Sequence, residues 1–229
     1  MNPTPSSIFE RALGGDFARL HPQLQSRYDV SVAGGRACVG TGVMTHVWHA
    51  GFTRPFLVLG ALRNILVPEQ GRQVPFTIEN YPYVDSHGRE AVTFVRSFDL
   101  SGRRRRFDAT MVYDSTRNGI LEYVGSHQHV SVDLDLRVDE RGGLVFRTGG
   151  FRLHEGWLSC RLPKALTGSA LVRESYDDDA GEFRIEVTVS QRMLGPFFGY
   201  SGAFQVTYVD VAEHGVPATV RPRREEVRR

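Results

Sequence analysis

Apolar and polar residues alternate along most of the chain with the period of two that is typical of half-buried β-strands. The clearest alternation runs over Val130–Val138, where apolar side chains take every second position and Ser, Asp and Arg lie between them. Burial of one face fixes the register of such a strand in a sheet. The pattern predicts strands at residues 37–48, 74–84, 91–100, 105–113, 120–125, 130–138, 144–153, 169–176, 183–191 and 202–211.

Turn-forming residues separate the predicted strands. Asn118-Gly119 and Ala180-Gly181 are examples, and such pairs favour tight hairpin connections. A row of sequential hairpins leaves exposed strand edges unless the sheet closes on itself. We therefore predict an all-β, mainly antiparallel fold that forms a β-barrel or a strongly curved sheet.

A helical period occurs near the N-terminus and once more further along. Apolar residues recur at steps of mostly three and four at Ile8, Phe9, Leu13, Phe17, Leu20 and Leu24. Ser7 provides an N-cap, and Gly14-Gly15 interrupts the run, so the pattern allows two short helical turns as well as one helix. A second helix is predicted within residues 53–66. We expect the N-terminal helix to cover an open end or a side of the sheet, because its apolar stripe needs a partner.

The composition is that of one folded domain. Of the 229 residues, 41% are apolar and 24% are charged, and no compositional break marks a linker. All-β domains of about 200–250 residues are common. We predict one domain at residues 1–212. The Arg-rich segment at residues 213–229 mixes both charges and holds few apolar residues, so we expect it to be disordered.

Charge and cysteine content narrow the class of function. The formal net charge of +2 is too small to indicate nucleic-acid binding, and the arginine run at residues 103–106 is expected to solvate a hairpin. Cys38 and Cys160 lie far apart in sequence and are interpreted as thiols. The sequence shows no signal peptide and no apolar run of about 20 residues that would span a membrane. We therefore expect a cytoplasmic protein without a membrane span.

Several short segments carry a family resemblance through their order and spacing. They are FERALGGDFARLHP (residues 9–22), GTGVM (40–44), ENY (79–81), RSF (96–98), RFD (106–108), ESY (174–176) and LGPFFGY (194–200). Together they resemble the uncharacterised bacterial family DUF4166. Members of that family resemble stand-alone proteins or C-terminal partners of saccharopine-dehydrogenase-like oxidoreductase domains. The resemblance therefore supports a domain boundary more than an activity, and a redox role would require a separate partner.

The sequence lacks the motifs of nucleotide or nucleophile chemistry. Gly40-Thr41-Gly42 has no third glycine at the required offset and lies in a predicted strand, and no Walker-type sequence occurs. Ser201 lies in half of a nucleophile elbow, without the strand-turn-helix context that such an elbow needs. We predict that the protein uses no cofactor.

His127 and His129 form a candidate metal site. Their spacing puts both imidazoles on one face of an extended segment, as in metal sites on β-barrels. A third ligand is required, and Asp133 or His154 are the candidates. The alternative interpretation is a polar entrance to a strand. We favour that alternative and predict no metal.

Arg96 lies in the middle of an apolar strand face that Val92, Phe94 and Phe98 form with it. An unpaired charge there is costly, so the guanidinium needs an oxygen partner. The available partners are Glu79 and Tyr81 on the preceding strand, or Glu122 and Glu174 across a closed sheet. One interpretation is a structural salt bridge that fixes strand register. The other is a cavity in which Arg96 orients a ligand oxygen and Glu79 acts as acid or base.

Further candidates surround this polar patch. His46 shares a predicted strand face with Met44 and Trp48 and is a candidate proton carrier, or a hydrogen-bonded histidine at a barrel rim. We therefore assign candidate catalytic roles to Arg96, Glu79 and His46. The candidate ligand-binding residues are Trp48, Tyr81, Phe94, Phe98, Glu122, Tyr123, Glu174 and Tyr200.

Three functions fit these patterns. The first is a calycin- or lipocalin-like barrel that encloses a hydrophobic small molecule, such as a polyketide, terpenoid or lipid. Its catalytic form would be a cofactor-free cyclase or isomerase in secondary metabolism, which holds a reactive conformer and uses one acid–base pair. The second is an accessory domain that binds an oxidoreductase partner, or a homodimer. The third is a metal-dependent enzyme that uses His127 and His129.

Overall fold

The computed structural model describes residues 6–163 and 167–229. The helices are α1 (Ile8–Leu13), α2 (Pro22–Tyr28), α3 (Arg54–Ala61) and α4 (Val211–His214), with 3-10 turns at Gly14–Arg19 and Gly51–Thr53. The strands are β1 (Arg36–His49), β2 (Gly71–Asn80), β3 (Pro82–Val84), β4 (Glu90–Leu100), β5 (Arg103–Asp114), β6 (Gly119–Val124), β7 (Val130–Val138), β8 (Leu144–Glu155), β9 (Leu158–Arg161), β10 (Ser169–Asp177), β11 (Glu182–Gln191) and β12 (Gly195–Asp210). No helix within the described residues has the length and apolar content needed to cross a membrane.

Ten of the described strands form a closed antiparallel barrel. The order is β10-β11-β12-β1-β2-β4-β5-β6-β7-β8, and β8 pairs with β10 to close the ring. β3 pairs with β4, and β9 pairs with β8, outside the ring. Closure leaves no free edge along the ring, which is the physical advantage expected for a long series of hairpins. The prediction of an antiparallel barrel with a short N-terminal helix is confirmed.

The strands depart from the prediction in three main respects. The expected strand at residues 74–84 is two strands, β2 and β3, which Tyr81 separates. The last strand begins at Gly195 instead of residue 202, and the short strand β9 was not expected. β9 has only four residues, and both of its faces are exposed or half-exposed, so its sequence shows no alternation of apolar and polar positions.

β1 and β12 approach each other closely near the middle of their pairing. They pair from Arg36 opposite Asp210 to His49 opposite Phe198. A Cβ on Gly42 would lie 2.1 Å from the carbonyl oxygen of Ala203 and 2.5 Å from the Cα of Phe204. Only glycine fits at this position, because any side chain would push the two backbones apart.

Helices cover the two ends of the barrel differently. At the α1 end, the Phe9 ring packs edge-on against the rings of Tyr28 and Phe94, with centroids 4.9 Å and 5.9 Å apart. Ile8 and Leu24 are fully buried there as well, so α1 and α2 close this end as the N-terminal apolar stripe predicts. At the α3 end, Leu57 is the buried residue of α3. More buried helical side chains therefore cover the α1 end than α3 contributes to the other end.

The C-terminal segment lies against the outer wall of the barrel, in contrast to the disorder expected for residues 213–229. The backbone nitrogen of Arg223 donates to the carbonyl of Ser126 at 2.7 Å, and that of Glu226 donates to the side-chain oxygen of Gln128 at 2.7 Å. Val220 is buried in a small apolar cluster. The acids of this Arg-rich sequence contribute, because Glu226 pairs with Arg224 and Arg228 within the segment and Glu225 accepts a hydrogen bond from the Ser86 backbone nitrogen.

Candidate functional site

The barrel interior contains a cavity near the middle of the sheet. The cavity contains about 530 Å³ of empty space, part of which is open to solvent. Within it, the centre of a water molecule can occupy about 50 Å³. The polar side chains of its wall are Arg96, Glu122, Thr148, Glu174 and Tyr200, and the apolar ones are Phe94, Phe107, Met111, Leu134, Phe146, Ala170, Val172, Val187 and Val189. An apolar wall with a few convergent polar groups is typical of small-molecule sites.

Arg96 projects into this cavity from the centre of β4. Its cross-strand neighbours are Ile78 on β2 and Phe107 on β5. The guanidinium carbon lies 4.7 Å from the centroid of the Phe107 ring and 5.5 Å from that of Phe94. Within the described residues, the buried atoms Nε and Nη1 of Arg96 have no hydrogen-bond partner. The cation is thus stabilised by aromatic rings but lacks the oxygen partner that a buried guanidinium normally has.

Glu122 and Tyr200 face the same cavity. Burial raises the pKa of the Glu122 carboxyl, and the positive charge of Arg96 opposes that rise only in part. Burial also raises the pKa of Tyr200 to about 12, again against the effect of Arg96. The Tyr200 hydroxyl makes no hydrogen bond to any described residue. The cavity therefore holds a guanidinium with two donors unpartnered among the described residues, a carboxyl group that retains its proton more readily than usual, and a hydroxyl that is likewise unpartnered there.

Glu174 also reaches the cavity, but its partner is Arg27 from α2. Arg27 Nε donates to Glu174 Oε2 at 2.9 Å, and Arg27 Nη1 donates to Asn80 Oδ1 at 2.9 Å and to Cys38 Sγ at 3.2 Å. Burial alone would lower the pKa of Arg27, yet the adjacent Glu174 carboxylate raises it well above its usual value. The sequence analysis missed Arg27. Its signal was a position three residues after Leu24, on the buried stripe of the helix.

Three of the predicted site residues lie on the outer face of the barrel. Ile78 is the residue opposite Arg96, so Glu79 points away from the interior and does not partner Arg96. Tyr81 packs outside in the cluster that contains Val220. The Tyr123 hydroxyl accepts from Arg89 Nη1 at 3.0 Å and donates to the carbonyl of Arg228 at 3.1 Å. The expectation that Glu79 or Tyr81 pairs with Arg96 is therefore corrected.

A β-bulge moves His46 and Trp48 to the outer face as well. The pairing of β1 with β12 shifts by one residue between Met44 and His46. Met44 before the bulge and Val47 after it are both fully buried in the core, so the inward positions change from even to odd numbers. His46 and Trp48 therefore do not share the face of Met44, and neither lines the cavity.

The structure brings together five of the predicted site residues. Phe94, Arg96, Glu122, Glu174 and Tyr200 line the cavity. Phe98 lies beside them in the core, where its ring contacts that of Tyr200 with centroids 5.1 Å apart. The cavity thus brings a carboxyl group, a hydroxyl and a cation into one apolar enclosure, and its carboxyl groups are those of Glu122 and Glu174, not that of Glu79.

His127 and His129 lie outside this cavity, near the C-terminal segment. Their rings stack with centroids 5.7 Å apart, and His129 Nδ1 lies 2.9 Å from a Glu155 oxygen. The two candidate third ligands are engaged elsewhere. His154 is held between Ser131 and Ser159 at 2.8 Å and 3.0 Å, and Asp133 pairs with Arg117 and Arg152. No group of three metal-ligating side chains occurs in the described part of the chain.

The match to a family model covers most of this architecture. The model of DUF4166, a domain of unknown function, matches residues 20–204. The chain belongs to the DUF4166 family. Every residue that lines the cavity, from Phe94 to Tyr200, falls within the matched DUF4166 region. The cavity is therefore part of the DUF4166 domain itself.

A curated relative extends the comparison over nearly its whole length. The chain is 34% identical over 201 residues to "Uncharacterized protein YndH" of Bacillus subtilis (strain 168), which covers 87% of this chain and 97% of that protein. No solved structure matches the chain.

Proposed function

We propose that this DUF4166 protein binds a compact hydrophobic molecule that carries a carboxylate or carbonyl oxygen in the barrel interior. The observation that carries the proposal is the Arg96 guanidinium, which faces the cavity with two buried donors unpartnered within the described residues. Buried donors without an acceptor are unfavourable for folding alone. A ligand oxygen at Arg96 would supply the missing acceptor and form a charge-assisted hydrogen bond.

Ligand entry requires the cavity to widen. A cavity of roughly 150 Å³ holds benzene, whereas about 50 Å³ holds a few water molecules. We place the widening at the seam between β8 and β10. Only residues 171–174 of β10 pair with β8, whereas residues 169–177 of β10 pair with β11. Phe146, Val172 and Glu174 of this seam line the cavity, as do Thr148 and Ala170 just beyond its paired part. The β2–β4 pairing is equally short, but no β2 residue lines the cavity, so the β8–β10 seam is the short one with cavity-lining residues on both strands.

The same groups can support proton transfer on a bound molecule. Arg96 would stabilise negative charge that develops on a carbonyl oxygen. Glu122, with its raised pKa, is suited to donate or accept a proton at a neighbouring carbon or oxygen. In its catalytic form the proposal is thus a cofactor-independent cyclisation or isomerisation, in which the apolar wall selects the reactive conformer.

The test compares compact acids with their matched alcohols. Cinnamic acid against cinnamyl alcohol, and geranic acid against geraniol, would be titrated into the purified protein by calorimetry. We expect the acids to bind more tightly, and the Arg96→Met variant to bind them about 10- to 100-fold more weakly, because a hydrogen bond to a charged group is worth about 1.5–3 kcal/mol. Arg104→Met makes the same chemical change on the outer face of β5 and should leave the affinity unaltered.

Two results would contradict the proposal. One is equal affinity of an acid for the wild type and for folded Arg96→Met. The other is a loss of affinity in Glu79→Gln, on the outer face, that matches or exceeds the loss in Glu122→Gln, in the cavity.

A further inference from the structure

The most exposed large apolar side chains all lie at the α3 end of the barrel. Within the described residues, six such side chains have exposed fractions between 61% and 93%. They are Phe56, Leu59, Leu62, Trp157, Met193 and Leu194, and we call them the apolar rim. A soluble domain seldom exposes so many large apolar groups together without a binding partner.

Three separate segments contribute to the apolar rim. Phe56, Leu59 and Leu62 come from α3 and the turn after it, which follow the end of β1. Trp157 is in the hairpin after β8, and Met193 with Leu194 are in the hairpin between β11 and β12. The first and third segments lie on one side because His49 pairs with Phe198 and the end of β11 meets the start of β12. The end of β8 lies on that side too, because β8 is antiparallel to β10, whose first residue pairs near the end of β11. Local sequence bias in one loop therefore does not explain the rim.

Four exposed arginines lie at the same end of the barrel as the apolar rim. Arg54 is in α3, Arg63 follows α3, Arg103 begins β5 after the β4–β5 turn, and Arg192 is in the hairpin between β11 and β12. None of the four forms an ion pair with an acid in the described residues, whereas the neighbouring Arg105 pairs with Glu69. The acidic Glu155 lies two positions before Trp157 and contacts His129. The rim is thus apolar at its tips and positively charged at its border.

We propose that the apolar rim docks on the surface of an anionic lipid bilayer. Surfaces that bind anionic membranes combine exposed Trp, Phe and Leu side chains with arginines. The apolar side chains insert into the interfacial region, and the cations contact the headgroups. A second copy of the chain is a poorer occupant, because a symmetric contact would place the four unpaired arginines of each copy against those of the other. An anionic surface, in contrast, complements them.

Docking at this end places the bilayer next to the end of the barrel toward which the cavity extends. The α1 end is closed by buried side chains of α1 and α2, whereas the cavity extends to Ala170 and Val189 near the strand ends of the α3 side. The docking itself does not depend on ligand binding in the cavity. The Arg96→Met variant, which is altered inside the barrel, should therefore bind vesicles as the wild type does.

The test is cosedimentation of the full chain with vesicles of equal parts phosphatidylcholine and phosphatidylglycerol. We expect binding to these vesicles, little binding to phosphatidylcholine alone, and weakening at high salt. Phe56→Ser combined with Trp157→Ser should weaken binding at least tenfold, and Arg54→Gln should weaken it about fivefold. The matched control is Val32→Ser combined with Val84→Ser, which removes exposed apolar groups at the α1 end and should change nothing.

Tryptophan fluorescence gives a second measurement on the same protein. The chain has two tryptophans, so Trp48→Phe leaves Trp157 as the single reporter. We expect its emission to move to shorter wavelength when anionic vesicles are added. The proposal is overturned if the folded protein does not bind the anionic vesicles, or if the control double variant weakens binding as much as the rim double variant. If vesicle binding is absent and the rim substitutions abolish a dimer or a complex with an oxidoreductase, the rim is a protein interface and the proposal is overturned.

Discussion

Two buried arginines of the barrel should respond oppositely to the same substitution. Arg27→Met would leave the buried Glu174 carboxylate without its partner, and such a loss costs about 3–5 kcal/mol of unfolding free energy. Arg96→Met would remove two unpartnered donors, at about 1 kcal/mol each, and would lose the contacts to two aromatic rings, at about 1 kcal/mol in total. We therefore expect Arg96→Met to raise the unfolding free energy by about 1 kcal/mol.

Urea unfolding followed by circular dichroism measures both changes by linear extrapolation. Arg104→Met on the outer face is the control and should change the unfolding free energy by less than about 0.5 kcal/mol. If Arg96→Met raises the unfolding free energy, Arg96 is a residue retained for binding at the expense of stability. If Arg96→Met destabilises the protein as strongly as Arg27→Met does, Arg96 is part of a structural ion pair and is not retained for binding.

Three further outcomes follow from single sites. Hydrogen bonding from Arg228 lowers the pKa of Glu226 to about 2 from its usual 4.5, so the stability that this carboxylate contributes is complete above about pH 4.5 and is lost as the pH falls toward 2. The wild type should lose more thermal stability over that range than Glu226→Gln, and equal losses would disprove it. Alanine at both His127 and His129 should leave folding and ligand binding unchanged, whereas release of stoichiometric zinc or iron in metal analysis would contradict this. Gly42→Ala should destabilise the fold by more than about 2 kcal/mol in urea unfolding, since its Cβ meets backbone at 2.1 Å. A cost no larger than that of Gly15→Ala, where the new Cβ meets nothing, would refute the close approach.

The strand pattern predicts which residues face the interior wherever alternation is uninterrupted. Arg96 is placed correctly because Phe94 and Phe98 flank it on one face of a regular strand. His46 is placed wrongly because one extra residue in a bulge reverses the faces, and a binary pattern of apolar and polar residues does not reveal that insertion. Glu79 shows the related problem that pairing partners depend on register, since Ile78 lies opposite Arg96.

Contacts between distant segments are the part of the site that the sequence does not reveal. Arg27 and Glu174 are 147 positions apart, and neither carries a local signal for the other. The C-terminal segment presents the same difficulty, because its composition is typical of disorder while Glu225 accepts a hydrogen bond from the Ser86 nitrogen and the Glu226 nitrogen donates one to Gln128. Both arrangements join residues that are far apart in the chain, and local sequence patterns do not show such contacts.

The most direct test of the proposed function is a crystal structure of the protein with the compact carboxylate that binds most tightly. We predict density inside the barrel, with a carboxylate oxygen within about 3 Å of an Arg96 guanidinium nitrogen and a β8–β10 seam that has widened to admit the molecule. An interior that stays closed, with the carboxylate bound on the outer wall or away from Arg96, would contradict the proposal.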